Sequence, residues 1–288
     1  MIYKLLAVNI DGTLLQSNGR YNKATKEAIE YVHSKGVAIV LFTSRSYQSC
    51  KKVAKVLKIN PMIVASQGGY IGTSIDKPLF VKKIHEQTTM DIIKLLEQTN
   101  CQIKLHCEEL QVANRINLPE NFIGKAVMYA SEPKVYTQHY VDCLSEFLQK
   151  EPSRPITIEA ELYSQKEQED ISKAIENTFS DVLVVRKPNF RIVVAAEGVS
   201  KWKGIKYLAE HININKREVV VIGDGHDDME SIVRAGMGVA MGNASVEIRG
   251  NANWITRSND EDGVAYMVKE LFRKQYQLQF LEKLNLLK

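Results

Sequence analysis

Apolar and polar positions along this chain follow two different periods, and the pattern changes twice. Residues 2–9 are largely apolar up to Val8 and read as a buried strand. From Asn22 to Lys35, Ala24, Ala28, Ile29 and Val32 form an apolar stripe at helical spacing, and Gly36 follows as a stop. Val37–Phe42 is wholly apolar, Ser46–Leu57 reads as a helix, and Pro61–Ala65 is a third apolar stretch. Uninterrupted apolar strands separated by helices predict a parallel sheet covered on both faces.

Near residue 84 the texture changes. Short alternating stretches at 102–107, 110–114, 156–160, 182–186 and 191–196 read as strands with one wet face. Helices are predicted at 88–99 and 165–178, with a third near 134–150. After Gly198 the first texture returns: a helix over 201–211, a buried strand at 219–222, a helix over 228–235, and short strands at 238–241 and 254–255. The predicted fold class is therefore α/β. A doubly wound, Rossmann-like parallel-sheet core (1–83 and 193–288) is interrupted by an inserted α+β domain (84–192). In such sheets ligands gather at the carboxyl ends of the strands.

Composition narrows the field. The 288 residues are 44% hydrophobic and 25% charged, as in a globular chain large enough for two units. With 38 basic against 34 acidic residues, the net charge of +4 does not mark a dedicated nucleic-acid binder. The one dense lysine run, Lys51, Lys52, Lys55 and Lys58, has the spacing of a solvated helix face. Cys50, Cys101, Cys107 and Cys143 show no metal or redox spacing, so reduced thiols are expected. The chain opens directly into a strand and holds no apolar run of membrane-spanning length, so a cytoplasmic location without membrane partners is expected.

Polar residues cluster where predicted strands end. Asn9-Ile-Asp11-Gly-Thr follows the first strand, and Thr43-Ser44-Arg45 the second. Gly198-Val-Ser-Lys201 opens a helix, and Gly223-Asp224-Gly-His-Asp227-Asp228 follows the 219–222 strand. Three carboxylates within five residues after a buried strand repel one another without a cation. His226 reads as a solvent-facing loop residue. In order and spacing these motifs resemble the Cof-type branch of the haloacid dehalogenase superfamily of phosphatases, over the whole chain. Val239-Ala-Met-Gly-Asn243-Ala and Asp262-Gly-Val add weaker matches.

The resemblance implies a phosphatase of small phosphorylated metabolites such as sugar phosphates, with the inserted domain as a substrate-selecting cap. Cap loops near 108–110, 116–124 and 160–165 are candidate contacts. It implies a nucleophile at position 9, Asp11 as general acid/base, and Mg2+ held by positions 9, 11, 224 and 228. Phosphate would meet Thr43, Ser44, Lys201 (in preference to Lys203) and Asp227, with Arg45 and Asn243 as weaker candidates.

The sequence departs from that pattern. Position 9 is Asn, not Asp, and an amide oxygen is a poor nucleophile. Asp227 stands where Asn is usual, Ser44 where Gly is usual, and Gln67 lies in Ser-Gln-Gly-Gly where Asn-Gly-Ala is usual. Two readings remain open: a Mg2+-dependent phosphatase whose activity is compromised at Asn9, or a non-catalytic homologue that senses or sequesters a phosphorylated ligand. A relic fold without a ligand would have no reason to keep Asp11, Lys201, Asp224 and Asp228 together.

Overall fold

The computed structural model describes residues 2–99, 101–115 and 138–277. It divides into two compact units. Residues up to Val81 and from Val199 onward form the larger, and Lys82–Gly198 the smaller.

The larger unit is built on an eight-stranded sheet. Its strands are β1 (Leu5–Asn9), β2 (Ala38–Phe42), β3 (Met62–Ala65), β4 (Tyr70–Ser74), β5 (Lys77–Val81), β12 (Val219–Gly223), β13 (Met237–Ala240) and β14 (Trp254–Ile255). The order across the sheet is β14-β13-β12-β1-β2-β3-β4-β5. From β14 to β3 all pairs are parallel. β4 and β5 then turn back antiparallel at one edge.

Every residue of β1 is buried, because the strand lies mid-sheet with helices on both faces. Leu5, Ala7, Val40, Phe42 and Val64 share a core with Trp202, Ile205, Leu208 and Ala209. Leu6, Val8, Leu41 and Ile63, on the alternate face, are equally buried. Helix α1 (Lys23–Ser34) is capped by the Asn22 side chain, which accepts from the Ala24 N–H. Helix α2 (Tyr47–Lys55) is capped by Ser46, which accepts from Ser49 N–H. Ser44 lies upstream of that cap, in the loop that follows β2.

The smaller unit contains α3 (Glu86–Glu97), β6 (Gln102–His106), β7 (Gln111–Asn114), β8 (Gln138–Val141), α4 (Leu144–Lys150), β9 (Thr157–Glu161), α5 (Gln165–Thr178), β10 (Val182–Lys187) and β11 (Arg191–Ala196). Its sheet runs β10-β11-β9-β6-β7-β8. All pairs are antiparallel except β7 with β8. Ile103, Leu105, Ile158, Ala160, Ile192 and Val194 pack with Ile92, Leu96, Leu144 and Ile175. Their alternating neighbours Lys104, His106, Glu159, Glu161 and Arg191 interact across the other face: Lys104 Nζ lies 3.1 Å from Glu161 Oε1, and His106 Nε2 lies 3.3 Å from Glu159 Oε2. The alternation is the one read from the sequence, but the expected wet face is mostly buried: His106, Thr157, Val193 and Ala195 are buried, and Lys104, Glu159 and Glu161 are only partly exposed.

Three expectations need correction. A unit boundary at 192/193 would cut β11, which belongs whole to the smaller unit. The helix near 134–150 is confined to Leu144–Lys150, because Gln138–Val141 pairs with β7 as a strand. Its first residues, and the loop at 116–124, lie outside the described residues. The edge strands β4 and β5 were not anticipated. The remaining helices are α6 (Lys201–His211), α7 (Met229–Arg234), α8 (Val246–Asn251) and α9 (Gly263–Phe272). Among the described residues no helix is long and apolar enough to cross a membrane.

Candidate active site

The chain runs from β1 outward through β2 and β3, then returns on the other side of β1 with β12, β13 and β14. The carboxyl ends of β1 and β12 therefore flank the point where strand order reverses, the usual ligand position in such sheets. Four of the sequence motifs meet there.

Asn9 ends β1 and is 5% exposed. Its Nδ2 donates to the Asp11 carbonyl at 3.0 Å, to Asp224 Oδ1 at 3.2 Å and to Asp228 Oδ2 at 2.9 Å. Two N–H hydrogens serve three acceptors, so one is shared. The orientation is dictated by chemistry: turned the other way, an amide oxygen would face three oxygens with no proton between them.

The loop after Asn9 turns at Gly12, with φ of +67°. A Cβ there would run into the Asp224 carboxylate, so glycine is required twice over. Thr13 Oγ1 donates to Asp224 Oδ1 at 2.7 Å. Asn243 Nδ2 donates to the Gly12 carbonyl at 2.9 Å, while its Oδ1 accepts from Asn259 N–H at 3.0 Å. Burial and the neighbouring Asp228 charge push the Asp224 carboxyl up to about 6.

Asp228 is fully buried. Its Oδ2 accepts from Asn9 and from the backbone N–H groups of Asp224 and Gly225, at 3.1 and 3.0 Å. Its Oδ1 accepts from Lys201 Nζ at 2.7 Å. Burial raises its pKa, and Lys201 opposes that rise. Lys201, 3% exposed, opens α6 beneath the cap formed by Ser200, and also meets Asp227 Oδ2 at 2.5 Å. Burial disfavours its charge, but the two acids outweigh burial and raise its pKa. Lys201 rather than Lys203 is thus the lysine of the site.

Asp227 Oδ2 also accepts from Gln67 Nε2 at 3.2 Å. Gln67 sits in a left-handed turn after β3, and the neighbouring Gly68 abuts the Ser200 backbone too closely for a Cβ. Thr43 is buried, and its Oγ1 accepts from Arg45 N–H at 3.0 Å. Arg45 forks onto Asp11: Nε lies 2.8 Å from Oδ2, and Nη2 2.5 Å from Oδ1. His226 is four-fifths exposed, as expected of a loop residue.

The structure thus joins Asn9, Asp11, Asp224, Asp228, Lys201, Asp227, Arg45 and Asn243 through these contacts, with Thr43 holding the Arg45 turn. Three contributors were not singled out by sequence. Thr13 lay inside the quoted Asp-Gly-Thr, Gln67 was marked only as a departure, and Asn259 carried no local signal.

The chain belongs to the haloacid dehalogenase-like hydrolases: residues 6–268 match that family's profile. It is 42% identical to stress response protein YhaX of Bacillus subtilis, over 99% of both chains. It is 27% identical to the 5-amino-6-(5-phospho-D-ribitylamino)uracil phosphatase YcsE of the same organism, over 92% of this chain and 94% of the relative. A solved haloacid dehalogenase-like hydrolase from B. subtilis superposes with a TM-score of 0.81, covering 93% of this chain and 100% of that one. At 24% identity that likeness concerns the fold. The fold class read from sequence is the one found.

The Asp11 carbonyl, Asp224 and Asp228 are hard oxygen donors converging on one point, which is the donor chemistry of Mg2+. In the described arrangement that point holds the Asn9 NH2 group. Among the described residues no three His, Cys, Asp or Glu side chains group as a metal cage. The donor set becomes all-oxygen once the Asn9 amide turns to present Oδ1.

Proposed function

We propose that this chain binds a small phosphorylated metabolite in a phosphatase-type site and retains it, because the residue placed to attack phosphorus carries an amide. The observation behind this reading is Asn9, which stands among Asp11, Asp224 and Asp228 with no nucleophilic oxygen. A covalent aspartyl-phosphate has no route here. The remaining route is direct attack by water: its oxygen bonds to phosphorus as the ester P–O bond breaks, and its proton passes through Asp11 to the leaving oxygen. Loss of a covalent nucleophile in other enzymes costs on the order of 10⁶ in rate.

Charge supports the involvement of a cation. Four acids, Asp11, Asp224, Asp227 and Asp228, meet two cations, Arg45 and Lys201, in these contacts, a cluster that a phosphate dianion would make more negative still. Mg2+, when bound, would be held by Asn9 Oδ1, the Asp11 carbonyl and Asp224, with Asp228 behind them, and would supply the missing positive charge. Thr43, Ser44 and Lys201 are the phosphate-side residues, and the smaller unit is the substrate-selecting cap. The YcsE relative, a phosphatase of a phosphorylated ribityl compound by name, supports the ester class.

The test is a phosphomonoester panel with Mg2+, run on this chain beside Asn9→Asp. Background activity in the parent and clear activity in the variant are expected. Ready turnover by the parent would overturn the retention reading, and an inert variant would show that position 9 is not the missing part.

A further inference from the structure

We propose that the Asn9 amide is an internal substitute for the divalent cation: its NH2 group holds the acid cluster together when no cation is present. This rests on the reading of the site given above and concerns what keeps it in shape between ligands.

The geometry is specific. Asn9 Nδ2 is within 3.2 Å of the Asp11 carbonyl, Asp224 Oδ1 and Asp228 Oδ2 at once. It thereby bridges the β1 end to two acids of the β12 loop that lie more than 200 residues away in sequence. A carboxylate at position 9 has no hydrogen to give, and would add a fifth acid to a cluster of four. Other side chains serve the same acids: Lys201 meets Asp227 and Asp228, Thr13 donates to Asp224, Gln67 to Asp227 and Arg45 to Asp11. Three of the four donors to Asp228 fall on Oδ2, so a cation that took that oxygen directly would displace one of them.

Cation and amide are therefore mutually exclusive occupants of one point. Binding Mg2+ requires the amide to turn, giving up its hydrogen bonds to two charged acceptors, and Asn9 contributes no charge in return. Asn9 is a positioning residue: it keeps Asp224 and Asp228 in place without metal, and lowers the affinity for metal.

The experiment compares the full chain with Asn9→Asp and Asn9→Ala in EDTA and across a Mg2+ titration, with no phosphorylated compound present. Melting is followed by calorimetry. The Asn9 side-chain ¹⁵N–¹H₂ resonance is identified in the parent as the one lost in both variants. In EDTA the parent should melt about 5 °C or more above Asn9→Asp. Mg2+ at ten times its Kd should raise the variant by about 3 °C. The parent should bind Mg2+ at least about tenfold more weakly than Asn9→Asp. Its Asn9 resonance should shift only when Mg2+ saturates.

If Asn9→Asp does not fold without cation, Asn9→Ala, which removes the donors and adds no charge, should still melt below the parent. Parent and Asn9→Ala of equal stability in EDTA, or an Asn9 resonance unmoved by saturating Mg2+, would overturn the proposal. The functional reading is judged separately, by the phosphomonoester panel.

Discussion

Replacing Lys201 with Met is the most informative single perturbation of the larger unit. Met keeps the length of the side chain and suits its surroundings, since the ammonium lies 5.7 Å from the Phe42 ring centroid. What it removes is the cation between Asp227 Oδ2 at 2.5 Å and Asp228 Oδ1 at 2.7 Å. Asp228 is fully buried. Breaking a buried pair by deleting one partner costs about 3–5 kcal/mol. One relief exists: burial already raises the Asp228 pKa, and without Lys201 it rises further, so the acid can take up a proton. We therefore expect a loss of about 3 kcal/mol near pH 8, shrinking near pH 5.5. At roughly 2–4 °C per kcal/mol, the alkaline deficit lowers the melting temperature by about 6–12 °C. Urea denaturation followed by circular dichroism at both pH values measures this. Adding Asp228→Asn should recover at least about half of the loss, because an amide needs no cation. A deficit under about 1 kcal/mol at both pH values, with no recovery in the double variant, would show that the buried ion pair is not what holds the β12 loop to α6.

Other outcomes follow from the same geometry. Asn9→Asp should raise Mg2+-dependent phosphomonoester hydrolysis by at least about 10³, measured by phosphate release. Adding Asp227→Asn should improve on it mainly through a lower KM, because one repelling carboxylate is removed. The Asp224 carboxyl, pushed up to about 6 by burial and by Asp228, binds its proton more tightly in the folded chain than in the unfolded one. Its stabilising contribution is therefore complete below about pH 4 and is lost as pH rises through about 6; in EDTA, Asp224→Asn should flatten that part of the stability–pH curve. Glycine at 12 is required by both backbone and space, so Gly12→Ala should cost more than about 1 kcal/mol in chemical denaturation.

Period and punctuation carried most of the fold. Helices at 165–178 and 201–211 stand where their apolar spacing put them, and the fully apolar runs became the buried parallel strands. Elements with weaker patterning were missed. β4 and β5 lie at one edge of the sheet, interrupted by Gly72 and Pro78 and joined by irregular register, so no clean alternation announces them. Gln138–Val141 was absorbed into a predicted helix because four residues are too few to show a period of two. The site was legible as a set of strand-end motifs, since each motif is local. Its wiring was not. The orientation of the Asn9 amide depends on acids more than 200 positions away, and Arg45 reaches Asp11 across 34 residues. Only the meeting of strand ends in space brings those partners within hydrogen-bond reach.

That wiring joins two departures that look unrelated in sequence. Relative to the usual pattern, position 9 has lost a carboxylate and position 227 has gained one, so the number of acids is kept while their placement changes. The structure separates their environments. Position 9 lies among oxygens that need a donor, and an amide supplies one. Position 227 lies against Lys201 Nζ and Gln67 Nε2, where a carboxylate finds both a charge and a hydrogen bond. Each substitution suits its surroundings better without a cation than the residue it replaces. Asn9 removes repulsion from the centre of the cluster, and Asp227 gives Lys201 a second partner at its edge. A chain that had merely lost its function would have no reason to place both changes so that they compensate. A site organised to remain folded and closed around its own acids, and to admit a cation only when the amide turns, accounts for both with one arrangement.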